Sequence, residues 1–177
     1  MTEAHPRRRW LLSVTVGAVG AVTAIALIAW WFSPAERQRR RDAALIVASR
    51  FGDLRAIEAA LNQGADVNCR DGDGITPLMH AAHGDRPNVR EPGATDHPEA
   101  AGLLIRRGAD PNARTSTGFV ALFWAARYGH DKVAKVLIDL GADVGAKDKD
   151  GLTALRWADT NQQAKVVVLL REAGAKE

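Results

Sequence analysis

Apolar and polar positions follow two different rhythms along this chain. Around residues 117–145 the rhythm is helical: Val133, Val136, Leu137 and Leu140 recur at i, i+3, i+4 and i+7, while Lys132, Lys135 and Asp139 take the other side. That spacing predicts an amphipathic helix buried along one face. Just before it, Phe119 to Tyr128 is a short apolar run in which Ala125 and Ala126 stand together, small enough for a neighbouring helix to come close, and Gly129 breaks it. After it, Gly141 suits a left-handed position past a helix end, and the polar, Asp- and Gly-containing segment 142–151 predicts an extended turn. The local unit is therefore helix, break, helix, turn. Near the start of the chain the rhythm is lost: Trp10 to Phe32 is 23 residues without a charge, bounded by Trp10 on one side and Trp30 and Trp31 on the other. As a helix it would extend about 35 Å, against roughly 30 Å for a hydrocarbon core. Its tryptophans would suit the two interfaces. The expectation is a transmembrane helix over 10–32, preceded by a basic tail at 1–9 and followed by a basic juxtamembrane linker at 33–41. In that linker Arg37, Arg39, Arg40 and Arg41 are candidates to meet anionic lipid.

The helical unit recurs. Its end is marked by Gly-Ala-Asp-Val-Asn at Gly64–Asn68, Gly-Ala-Asp-Pro-Asn at Gly108–Asn112, Gly-Ala-Asp-Val at Gly141–Val144 and Gly-Ala at Gly174–Ala175, so that the glycines fall 44, 33 and 33 residues apart. Its opening recurs too: Asp73-Gly74-Ile75-Thr76-Pro77-Leu78 matches Asp150-Gly151-Leu152-Thr153-Ala154-Leu155, and Thr117–Leu122 is a looser copy. Period, opening and ending together resemble the ankyrin repeat, whose unit is a β-turn followed by two antiparallel helices. The resemblance implies an all-α solenoid over 42–177 in four units, at about 42–73, 74–116, 117–149 and 150–177. It also implies a function of protein binding. No unit buries its apolar face alone, and stacking gives the units one shared core. The second unit is 11 residues too long; the excess lies within His83 to Asp96, whose two prolines, two glycines and five charges predict a loop inserted at 86–95. Where the family's opening carries His, this chain has Met79, Phe123 and Arg156, so the polar network that His supports is expected to be altered. The first and fourth units read as caps: the first lacks the Thr-Pro opening, and the fourth puts Arg171 where Leu61, Ile105 and Ile138 precede it.

Charge adds little to this picture. The formal net charge is +3, but the first 41 residues hold seven Arg and two Glu while the rest is slightly acidic. The basic character thus flanks the apolar span and does not mark a nucleic-acid-binding face. Arginines before and after the span are nearly balanced, so the side of the membrane carrying the repeats is left undecided. A cleaved export signal is the competing reading of the span, against which its length argues. The lone Cys69 rules out an internal disulfide.

No nucleophile elbow, phosphate loop or paired-cysteine motif is present. The chain is therefore expected to be no enzyme, to take no cofactor or small-molecule substrate, and to act as a membrane-tethered interaction module for a protein the sequence does not identify. Two other readings are an exported ankyrin protein supporting a partner enzyme, such as one of oxidative-stress defence, and a metal-binding protein using His80, His83, Asp85, Asp96 and His97. By the resemblance, the partner site is the concave groove with His80, Trp124, Tyr128 and Trp157, beside turn tips at Asp71 and Asp73, Thr115 and Ser116, and Asp148, Lys149 and Asp150. Large aromatic rings inside a polar rim are the composition of binding hot spots. The insertion, with Arg86, Asn88, Arg90 and Glu91, is the second candidate.

Overall fold

The structure is a computed structural model that describes residues 33–84 and 96–176. Eight helices are found among them: α1 (Pro34–Phe51), α2 (Leu54–Asn62), α3 (Pro77–His83), α4 (Pro98–Arg106), α5 (Ala121–Tyr128), α6 (Asp131–Asp139), α7 (Ala154–Thr160) and α8 (Ala164–Glu172). The chain divides into one compact unit up to Arg40 and another from Arg41 to Glu177. In the first, the described residues are the start of α1, where the Glu36 N–H donates to Ser33 Oγ and the Glu36 carboxylate lies 3.8 and 3.9 Å from Arg39 and Arg40. The segment expected as a linker is thus helical from Pro34 onward.

One expectation is corrected. No helix among the described residues is long and apolar enough to cross a membrane. The described helix of sufficient length, the 18-residue α1, carries Glu36, Arg37, Arg39, Arg40, Arg41, Asp42 and Arg50, and each such charge is costly in hydrocarbon. The other helices have seven to nine residues, about half the length a span needs. The transmembrane helix in the expected fold class, and the single-pass membrane location drawn from it, are not supported; residues 10–32, on which both rested, lie outside the described residues. The architecture that stands is the all-helical repeat stack.

Within the second unit α3, α5 and α7 form one row and α4, α6 and α8 another, with α2 packed on α4. Each repeat starts and stops for local reasons. Thr76 and Thr153 accept the N–H three residues on, capping α3 and α7, and Asp53 does the same for α2. The Gly-Ala marker is the helix stop: Gly141 has φ +96°, and the next N–H, Ala142, reaches back to Leu137 C=O at 2.9 Å. The same bond runs from Ala65 to Ala60, Ala109 to Leu104 and Ala175 to Leu170, the closure expected of a left-handed residue past a helix end. The rows meet in one core. Leu78, Met79, Leu122, Phe123 and Leu155 contribute from the first helices, and Ile57, Leu104, Val133, Leu137, Val166 and Leu170 from the second. Met79 and Phe123, at the position where the family has His, are 1% and 0% exposed, so apolar packing replaces a polar network there. Leu140, read from periodicity as part of the buried face of α6, instead follows the helix end and is 39% exposed.

Candidate functional site

The turn between repeats is organised by one side chain. Asp71 Oδ1 accepts the N–H of Asp73 and of Ile75, both at 2.9 Å, and its Oδ2 pairs with His80 Nε2 at 2.7 Å. Asp148 repeats the arrangement: Oδ1 accepts from Asp150 and Leu152, and Oδ2 accepts from the indole Nε1 of Trp157 at 3.0 Å. In both, the ring nine residues downstream locks the turn onto the helix that follows it. Burial alone would raise the Asp71 pKa. The Ile75 N–H, the His80 ring and the Asp73 N–H outweigh it, and the carboxyl lies below its ordinary 3.8. The third repeat departs from this plan. Thr115 Oγ1 accepts from Phe119 N–H and pairs with Thr117 Oγ1 at 2.9 Å, but a hydroxyl so engaged does not reach the helix. Trp124, the counterpart of His80 and Trp157, has its Nε1 shielded from solvent without a hydrogen-bond partner among the described residues.

The turns are also clipped to one another. Asn68 donates to Gly108 C=O and accepts from Asp110 N–H; Asn112 does the same with Gly141 and Asp143. Asp42 begins the series by accepting from Asp66 N–H. Beside it, Arg70 Nη1 donates to Arg114 C=O, and Arg114 Nη1 to Lys147 C=O. Under these clips Cys69 is buried, and burial first, with the Asp42, Asp66 and Asp71 carboxylates, pushes its thiol up to about 12, which leaves it protonated and unreactive at neutral pH.

Trp124 belongs to an aromatic cluster. It stacks on Tyr128 with centroids 6.1 Å apart and planes 13° apart, meets the His83 ring edge-on at 5.0 Å, and touches Phe119 at 5.3 Å. Phe119 in turn meets Trp157 at 5.1 Å, and the Arg127 guanidinium lies 5.3 Å from the Trp157 centroid and 5.7 Å from that of Tyr128. These side chains are half-buried. His83 is held low in pKa, first by burial and then by the nearby positive charge of Arg50, His80 and His130. At the helix break, His130 is buried and its Nε2 lies 3.1 Å from His83 C=O. The downstream end of the insertion is tied in as well, since Asp96 accepts the Lys132 and Val133 N–H groups and caps α6 from the preceding repeat.

A family profile described as "Ankyrin repeats (3 copies)" matches residues 93–177, and one described as "Ankyrin repeats (many copies)" matches residues 45–89. The chain belongs to the ankyrin repeat family. Its relatives include an ankyrin repeat and KH domain-containing protein of Caenorhabditis briggsae, 38% identical over 94 residues that make up 52% of this chain and 3% of that protein. The 2-5A-dependent ribonuclease of Mus musculus is 35% identical over 78 residues, 44% of this chain and 9% of the ribonuclease. The mitochondrial disaggregase of Bos taurus is 32% identical over 97 residues, 55% of this chain and 12% of the disaggregase. The shared part is therefore the ankyrin segment, a small fraction of each relative.

Set against the ankyrin stack, the residues expected in the partner site fall into three groups. Trp124, Tyr128 and Trp157 come together in the aromatic cluster, whereas His80 sits apart on Asp71. Asp73, Ser116, Lys149 and Asp150 are exposed at the turn tips, while Asp148 is only 8% exposed and, like Asp71, holds its own turn together. Arg86, Asn88, Arg90 and Glu91 lie outside the described residues. Of the residues considered for a metal, His80 is engaged by Asp71 and His83 Nδ1 by Gly84 C=O, and the described residues include no group of three or more His, Cys, Asp or Glu placed to hold one. Phe119 and Arg127 complete the cluster and were missed by sequence reasoning, as was the place in it of His83, which the sequence offered only for a metal. Arg127 is legible only in hindsight, as a cation one turn along from Trp124. The forward-reaching Asn68 and Asn112 stood in plain view within the repeated Gly-Ala-Asp-Val/Pro-Asn marker.

Proposed function

We propose that this chain is an ankyrin-repeat module that binds a protein partner through the aromatic face of its second to fourth repeats, centred on Trp124, and whose work is binding and not catalysis. One observation carries the reading. At a single repeat position His80 and Trp157 are used to lock their turns, but Trp124 has no turn carboxylate to hold, so the third repeat keeps its large ring for no bond in its own turn. Half-buried, stacked on Tyr128 and flanked by the Arg127 cation, it has the composition of a hot spot. The exposed Asp73, Ser116, Lys149 and Asp150 supply a polar rim, whose carboxylates suit a basic partner segment. The relatives support the same division of labour: a ribonuclease and a disaggregase carry their activities in their names, and the matched ankyrin segment is a small part of each.

The test compares three forms of the whole chain against partners captured by cross-linking: native, Trp124→Ala and a deletion of 86–95. Loss of the ring is expected to weaken the principal interaction by about 2 kcal/mol, roughly thirtyfold in Kd, with helicity by circular dichroism retained. The deletion removes ten of the 11 surplus residues, brings the second unit close to the 33-residue spacing of the others, and is expected to keep both fold and binding. If the deletion abolishes binding while Trp124→Ala leaves it intact, the insertion is the recognition element and the groove is not.

A further inference from the structure

Each repeat of this stack presents a forward face to the next, and the fourth repeat's forward face is chemically unlike the others. On the first helix, the position filled by Met79 and Phe123, both sealed by the following repeat, is held by the exposed Arg156. On the second helix, Leu61, Ile105 and Ile138 give way to Arg171. In the loop, Lys147 stands where Arg70 and Arg114 each donate forward to a backbone carbonyl of the next repeat. These three cations line a cavity of about 270 Å3 together with Leu152 and Leu155, and among the described residues that line it the one carboxylate, Asp159, lies 3.9 Å from Arg156.

We propose that this end cavity is a second docking site, for an acidic peptide segment that carries a large apolar side chain. The floor retains the apolar positions that stacked repeats bury, so it rewards an apolar group. The rim replaces apolar or carbonyl-seeking side chains by cations, so it selects for carboxylates around that group. A cap whose only task is to end the stack needs polarity; three cations against one carboxylate give it a sign, and with the sign a preference among partners. The cavity is large enough for one side chain such as Leu or Phe. It does not share residues with the aromatic face, so the two sites stand or fall separately.

The probe is a short fluorescein-labelled peptide of Glu and Asp around a central Leu-Phe, read by fluorescence anisotropy against the whole chain at low salt. Two matched peptides replace either the acidic residues by Lys or the Leu-Phe by Ser-Ser. The acidic apolar peptide is expected to bind best, to lose affinity as salt rises, and to bind about tenfold or more weakly to the Arg156→Glu, Arg171→Glu double variant. Arg55→Glu, a single charge reversal of the same kind on exposed α2, is expected to leave it unchanged, and circular dichroism checks that each variant is folded. Equal binding of the Lys peptide, equal binding of the Ser-Ser peptide, or undiminished binding to the double variant overturns the proposal. So does a sedimentation shift showing that the double variant alters self-association instead, which would assign the face to a second copy of this chain.

Discussion

At the scale of single residues, one carboxylate does more for this fold than any exposed charge. Asp148 satisfies two backbone N–H groups and the Trp157 indole at once. Asp148→Ala leaves all three donors without this acceptor in a half-buried turn, and a loss of about 2 kcal/mol in urea unfolding is expected. Asp148→Thr imitates the natural Thr115, keeping the turn bonds while releasing the indole, and should cost about 1 kcal/mol. His83 supplies a pH dependence. Its pKa is lowered on folding, so the unfolded chain binds the proton more readily; His83 contributes stability that is fully present above the ordinary 6.5 and is lost as pH falls through the depressed folded value. The urea midpoint is therefore expected to drop between pH 7.5 and pH 5, with pH values set about the ordinary histidine range. His83→Phe, which keeps a ring against Trp124 and Tyr128, should flatten that part of the curve.

At the scale of elements, the helix breaks are as constrained as the helices. Gly129 has φ +76°, and a β-carbon there would overlap the Gln163 side chain of the next repeat; Gly52, at φ +67°, is covered in the same way by the His97 ring. Gly129→Ala thus meets backbone strain, while the Gln163 tip can swing aside, and a loss of about 1 kcal/mol is expected in thermal or urea unfolding. In a Gln163→Ala background the loss should be nearly the same, which a double-mutant cycle measures. The helices themselves were legible because their causes are local: the i, i+3, i+4 spacing of Val133, Val136 and Leu137, the Thr76 and Thr153 caps, and the glycine stops. The candidate site was legible only as residue types. That Trp157 and His80 are committed to turn carboxylates, and Trp124 is not, depends on whether the residue nine positions earlier is Asp or Thr. This pairing across a turn has no periodicity to give it away.

At the scale of the whole molecule, the stack is held by a series of identical clips with one link left out. Asn68 and Asn112 each grip the next turn, but the corresponding position in the third repeat is Gly145. Gly145 does not sit at positive φ, and a β-carbon there meets nothing closer than Asp143 Oδ1 at 3.4 Å. Gly145→Asn is therefore expected to extend the series to Gly174 C=O and Lys176 N–H. Together with the lost freedom of the glycine, this should stabilise the protein by about 1–2 kcal/mol. Hydrogen exchange locates the effect: amides of α8 and the last turn should slow most. An unchanged exchange pattern with raised stability would mean that the gain comes from the unfolded chain alone.

The joints differ along the two edges of the stack. At the turns the earlier repeat grips the later one's backbone through Asn68, Arg70, Asn112 and Arg114; at the helix breaks the later repeat lays His97 and Gln163 over the earlier one's glycines, while Asp96 reaches forward to the first turn of α6. A 33-residue window that includes Asn112 and Arg114 therefore carries its own forward grips, whereas one that has Gly145 and Lys147 at those positions does not. A gene encoding such a chain can lengthen by copying a window of the first kind without creating an unmatched seam. Heredity has in this stack a unit of change whose seams are set by a handful of side chains.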